Sequence, residues 1–260
     1  FGEHGEPLVC RLNRSLYGLK QAGREWGALF ASFLTNWGFT RSTIDTCLFT
    51  YVKDHLVLWI LVYVDDCIIV DNDSALRSRF VTSLGKRFPV DDRGELEWML
   101  GVSIRRDRSN NSLSLSQELF IKDLVDKYAS HVTAGHARKY DTPIEEGLRL
   151  SADDCPAPNT EAADQMAPRK AIYMALVGAY GWLSNMTRSE IAHVTSQLAR
   201  FVSNPGITHF NAAMRVLIYL DGTRGRALNY TPNASLPLHV LVDSSWETKF
   251  SCSGAYYFFM

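Results

Sequence analysis

The chain has 260 residues, 46% hydrophobic and 21% charged, a composition that supports a sizeable core and excludes intrinsic disorder and collagen-like architectures. Its 27 Lys and Arg against 28 Asp and Glu give a net charge of −1. No global basic field therefore advertises nucleic acid, and any polyanion site must be local. The longest apolar run, residues 56–64, has nine residues, about half of what a membrane span needs, and no signal peptide is readable. Five cysteines without a CxxC pair fit a reducing compartment and no zinc site. The chain starts at Phe1 and stops in an apolar run at 255–260, which reads as a piece of a longer protein.

In chain order, residues 22–38 space Trp26, Leu29, Phe30, Phe33, Leu34 and Trp37 by three and four, predicting one amphipathic helix stopped by Gly38. Residues 47–52, 56–64 and 67–70 are β-rich. The last two runs are joined by Asp65-Asp66, which predicts a tight hairpin with Leu61, Tyr63, Cys67 and Ile69 in its strands. Residues 74–87 read as a helix with Ser74 as N-cap and Leu76, Phe80 and Leu84 on one face. Residues 97–104 and 112–115 read as a strand pair across a polar turn, and residues 118–128 as a helix. Prolines and acids in 141–170 predict a solvated loop. Three apolar stripes follow: Tyr173 to Leu183, Ile191 to Phe201 and Phe210 to Ile218. Strand-like runs at 236–242 and 254–260 close the chain. The expected class is α+β.

Tyr63-Val64-Asp65-Asp66 is the main chemical candidate. Two adjacent carboxylates between apolar strands are costly to desolvate unless a cation is present. Hard divalent ions take oxygen from one or two carboxylates plus substrate phosphates. The bland alternative is a solvated acidic turn, the better account of Asp91-Asp92 and Asp153-Asp154. Composition alone yields about 0.05 chance Tyr-x-Asp-Asp matches in such a chain, so the motif is informative without deciding alone. The seven histidines show no ligand spacing.

Tyr-Val-Asp-Asp in a hairpin resembles the active-site motif of reverse transcriptases. Residues 13–24, Asn-Arg-Ser-Leu-Tyr-Gly-Leu-Lys-Gln-Ala-Gly-Arg, resemble the "KSLYGLKQ" signature of copia-type (Pseudoviridae) retrotransposons. The similarity continues in order: residues 42–49 resemble the family's "S-x-x-D-x-C-L-F", 93–102 its "DLGELHYFLGIEV" and 121–128 its "YIKDLLKKF". Thr142-Pro143 and residues 173–223 follow its thumb region, and 242–246 resemble the "SDADW" that opens its RNase H. The resemblance implies a right-hand polymerase: palm and fingers over 1–116, a connection and helical thumb over 117–235 containing the loop 141–170, and the first strands of an RNase H-like domain over 236–260.

By the same resemblance, Asp65 and Asp66 are the catalytic, metal-binding carboxylates for Mg²⁺ or Mn²⁺, and Tyr63 packs beside the primer terminus. Tyr17, Gly18, Lys20, Gln21 and Arg24 face the incoming nucleotide and template. Gly permits close backbone approach, Tyr offers a stacking face, and the cations suit phosphates. Trp98, Met99, Leu100 and Gly101 resemble the primer-grip turn, although Trp98 and Leu100 equally suit a core. Arg215, Arg224 and Arg226, opposed only by Asp221, are candidates for the thumb's duplex-facing side. The implied partners are an RNA or DNA template with primer, a dNTP and the rest of the Pol polyprotein, with no membrane. The implied place is intracellular and cytoplasmic, in a virus-like particle in the family, and not secreted.

The departures limit what these residues do by themselves. The family's first catalytic Asp lies in an "xDVxxAFL" segment before "SLYGLKQ", and no such segment occurs in the 260 residues. Their two-ion site is therefore expected to be incomplete. Asp243 matches the opening carboxylate of RNase H, but Ser245 stands at its second Asp. Two readings follow: a fragment of an RNA-directed DNA polymerase, or a catalytically dead retroelement remnant that at most binds nucleic acid. A metal hydrolase built on Asp65-Asp66 fits worse, because no histidine is spaced near the pair.

Overall fold

The protein is described here from a computed structural model, which describes residues 11–131, 140–231, 238–245 and 252–259. Trp246, which ends the "SDADW"-like stretch, lies outside the described residues, as do residues 236, 237 and 260 of the expected final strands. Antiparallel sheets and helices are mixed, so the fold is α+β as expected. No helix among the described residues is long and apolar enough to cross a membrane. The chain divides into two compact units, residues 1–95 and 96–260.

The first unit holds α1 (Ala22–Trp37), the strands β1 (Thr40–Arg41), β2 (Leu48–Lys53), β3 (Leu56–Tyr63) and β4 (Asp66–Asp71), and α2 (Ser74–Arg87). The strands form one antiparallel sheet in the order β1-β2-β3-β4. Alternation along β3 buries Leu58 and Ile60 and leaves Trp59 and Leu61 open, the period-two pattern of a half-covered sheet. Leu58 and Ile60 pack with Phe30 and Leu34 of α1 and Leu76 and Phe80 of α2 in one core. Gly38 ends α1 with φ +114, and its N–H caps the carbonyls of Leu34 and Thr35. A side chain there would press on the Tyr51 ring at 3.2 Å, so both conformation and space call for glycine. The N-cap of α2 is Asp73 rather than Ser74: its carboxylate accepts from the Leu76 N–H at 2.6 Å. Both residue types cap well; Asp73 has the extended backbone that a cap needs.

The second unit begins with β5 (Trp98–Met99), β6 (Val102–Asp107) and β7 (Ser112–Ser116). The expected strand 97–104 is instead a hairpin, broken at Leu100 (φ +50) and Gly101 (φ +77). The helices α3 (Glu118–Tyr128), α4 (Glu161–Met186), α5 (Ala192–Ala199) and α6 (Ile207–Gly222) follow, and then β8 (Leu228–Tyr230) pairs back onto β7. That pairing places residues 98–116 in the same compact unit as the helices. The first ten residues of helix α4 (161–170) fall inside the expected loop 141–170, and Pro168 is among them. Thr160 caps it, and Glu161 and Asp164 sit in its first turn, where acids complement the helix dipole. Acids read as a solvated loop are thus partly a helix start. Leu176 and Leu183 of α4, Ile191, Leu198 of α5 and Val216 and Leu220 of α6 are almost completely buried in one cluster, confirming the three stripes. A separate two-stranded antiparallel sheet consists of β9 (Leu238–Ser245) and β10 (Cys252–Phe259).

Candidate active site

Strands β3 and β4 form the expected hairpin, with Tyr63 directly opposite Asp66. The two residues at its turn are Val64 and Asp65, so the turn lies one position earlier than the acidic pair suggests. Asp66 is the first residue of β4. Val64 adopts φ +54, the left-handed region that a β-branched residue avoids; holding it there costs about 1–2 kcal/mol. Both aspartates are exposed, and neither carboxylate forms a hydrogen bond or ion pair with another described residue. Tyr63, at the end of β3, is about half exposed. Cys67 is open to solvent as a residue, yet packed closely enough that its thiol is pushed up to about 11, by desolvation first and the Asp66 carboxylate second.

The loop before α1 presents Tyr17, Gly18 and Lys20 to solvent, with Gly18 at φ +90. Gln21 precedes the helix, and Arg24 lies exposed in its first turn. One contact brings this end of α1 to the hairpin: the Trp26 Nε1–H donates to the Val64 carbonyl at 3.1 Å. The Trp26 ring stacks on Phe30 (5.5 Å) and meets Phe88 edge-on (5.3 Å). In the sequence Trp26 is only one member of an apolar stripe; its indole N–H is the single hint of a polar role.

The other candidates belong to the second unit. Trp98, Met99, Leu100 and Gly101 form the β5–β6 turn, with Trp98 about half exposed. The three arginines expected to contact duplex, Arg215, Arg224 and Arg226, all have partners within the unit. Arg215 stacks on the Tyr140 ring at 4.0 Å and donates to Thr142 Oγ1 at 3.2 Å. Arg224 pairs with Asp221 at 2.8 Å, and Arg226 Nη1 donates to Tyr219 Oη at 2.9 Å. Asp243 lies on β9, in register with Gly254.

Two adjacent, unpaired carboxylates suit a hard divalent ion that completes its shell with water and phosphate oxygens. No cluster of three or more His, Cys, Asp or Glu able to hold a metal occurs among the described residues.

The family described as "Reverse transcriptase (RNA-dependent DNA polymerase)" matches residues 2–145, a stretch that contains both the hairpin and the loop before α1. The chain belongs to this reverse transcriptase family. It is 36% identical to the retrovirus-related Pol polyprotein from transposon TNT 1-94 of Nicotiana tabacum, over 85% of this chain and 16% of that protein. It is 33% identical to the corresponding polyprotein from transposon RE1 of Arabidopsis thaliana, over 92% of this chain and 15% of that protein. A transposon Ty5-1 protein of Saccharomyces cerevisiae is 28% identical over 94% of this chain and 74% of its own length. The similarity is thus to Pol polyproteins of copia-type retrotransposons, and the chain spans about one sixth of the length of the two plant polyproteins. No solved structure matches it.

Proposed function

We propose that the chain is a segment of a copia-type reverse transcriptase, working in template-directed DNA synthesis from dNTPs on an RNA or DNA template with primer. The observation that carries this reading is the Tyr63–Asp66 hairpin, two unpaired carboxylates at a strained tip inside the stretch that matches the family. In this reading the first unit is palm and fingers, the helices of the second are the thumb, and Asp243 is a remnant of RNase H. Asp65 and Asp66 hold the divalent ion, and Tyr63 lies beside the primer terminus. Bound Mg²⁺ or Mn²⁺ supplies charge stabilisation to the attacking and leaving oxygens of an in-line displacement. Gly18 lets the backbone approach the nucleotide, Tyr17 offers a face for stacking, and Lys20, Gln21 and Arg24 orient phosphates. The Trp98–Gly101 turn grips the primer, and Arg215, Arg224 and Arg226 turn to the duplex when their internal partners release them.

Primer extension tests this. The 260 residues by themselves are expected to be inactive with Mg²⁺ or Mn²⁺, because a carboxylate from a second segment is needed. Joined to the preceding segment of their gene, they extend primers, and Asp65→Asn lowers the rate by at least about 100-fold. Extension by the 260 residues alone that vanishes in Asp65→Asn overturns the incomplete cage. Inactivity of the longer protein favours the remnant.

A further inference from the structure

We propose that Trp26 is a positioning residue for the carboxylate hairpin: its indole N–H holds the Val64 carbonyl and keeps the strained tip in the form that presents Asp65 and Asp66. The metal-binding half of this rests on the function proposed above; the positioning itself does not.

Three observations converge on it. Val64 is held at φ +54, a conformation that persists in a β-branched residue only where the surroundings impose it. Val64 is a turn residue outside the β3–β4 register, so its carbonyl takes no part in the ladder, and Trp26 Nε1–H donates to it at 3.1 Å. The donor is itself fixed, because the Trp26 ring packs on Phe30 and Phe88, and both of these are core residues at 5% and 7% exposure. The tip is thereby referenced to the core through a single hydrogen bond rather than through its own exposed side chains. The same bond sets the distance between the hairpin and the start of α1, which carries Arg24.

Trp26→Phe keeps an aromatic ring on Phe30 and Phe88 and removes only the donor. In the 260-residue chain, amide exchange at Asp66, the first ladder residue after the turn, is expected to accelerate about three- to ten-fold, the worth of one hydrogen bond. Exchange at Leu58 and Ile60, deeper in the same sheet, stays within about two-fold. The Mn²⁺ concentration needed to broaden the Asp65 and Asp66 signals rises by a similar three- to ten-fold. Adding Val64→Asn to Trp26→Phe returns both readouts toward wild type, because Asn tolerates the left-handed region, whereas it would not repair lost packing. Unchanged exchange at the tip overturns the proposal, and so does loosening spread evenly through the sheet or an absence of rescue. A wild-type chain whose Asp65 and Asp66 signals ignore Mn²⁺ counts against the metal reading alone, and exchange with its rescue then decides the role of Trp26.

Discussion

In the helical unit, several polar side chains near the core bond other groups of the protein, although Arg188 Nη1 and Gln117 Nε2 are buried without a partner. Tyr173 and Tyr180 donate to the carbonyls of Leu198 and Ala213 at 2.7 and 2.8 Å. Arg188, 1% exposed, bonds Glu190 at 2.7 Å and Thr223 at 2.6 Å. His209, fully buried, accepts from the Gly206 N–H at Nδ1 and faces the Ser151 carbonyl with Nε2. At the hairpin tip of the first unit the arrangement is reversed: Asp65 and Asp66 face solvent without internal partners, and the backbone between them and Tyr63 is strained. Tyr173, Tyr180, Arg188 and His209 each hold a bond inside the unit, whereas the Asp65 and Asp66 carboxylates lie open to solvent. Substitutions should therefore separate cleanly into two kinds.

The largest effect is expected at Arg188. Arg188→Ala removes an almost buried cation and leaves Glu190 and Thr223 without it, costing about 3 kcal/mol. The value sits at the low end for a broken buried pair because Glu190 remains about one third exposed. Asp65→Asn, by contrast, is expected to change stability by less than about 0.5 kcal/mol. Urea unfolding followed by circular dichroism checks both, and equal losses would break the distinction.

A smaller effect is expected from pH. Burial lowers the His209 pKa, with Asp154 and the Ser151 carbonyl opposing it more weakly. Because the folded pKa lies below the unfolded value of about 6.5, the unfolded chain binds more protons between the two. Stability from His209 is therefore complete above about pH 6.5 and is lost as pH falls through the folded pKa. Protonation at Nδ1 would also remove the acceptor for the Gly206 N–H. Asp154, held below the usual carboxylate range chiefly by the Ser151 N–H, loses its contribution only at lower pH. Urea midpoints between pH 7.5 and 5 should fall for the wild type and stay flatter in His209→Asn, whose side-chain carbonyl can still accept from Gly206. Parallel slopes would remove His209 as the cause.

The smallest effect is expected from Arg215, Arg224 and Arg226, since each already has an internal partner. Replacing Arg215, Arg224 and Arg226 with Ala should weaken primer–template binding modestly. Each lost phosphate contact should flatten log K against log[salt] by about 0.9. Titrations at several salt concentrations measure this; an unchanged slope would leave these residues with the Tyr140, Asp221 and Tyr219 contacts alone.

Much of this was legible in the residues. The hairpin followed from apolar runs around two acids, and the helical stripes from three- and four-residue spacing. The turn itself was read one residue late, because no local preference places a valine in the left-handed region; tertiary contact with Trp26 accompanies it there. The start of α4 was hidden because Glu161 and Asp164 suit a loop and a helix N-terminus equally, and Pro168 argued for the loop. β8 is too short, at three residues, to show a period. The candidate site residues come from resemblance to a family, whereas the bond from Trp26 to the Val64 carbonyl has no sequence signal, since an indole N–H in an apolar stripe looks like packing.

The packing around Cys67 has a chemical consequence for the hairpin. With its thiol pushed from 9.0 to about 11, only about one molecule in ten thousand carries the thiolate at pH 7, roughly a hundred-fold fewer than for an unperturbed cysteine at 9.0. Since the thiolate is the species that alkylates and oxidises, desolvation of the sulfur next to Asp66 lowers its reactivity at neutral pH.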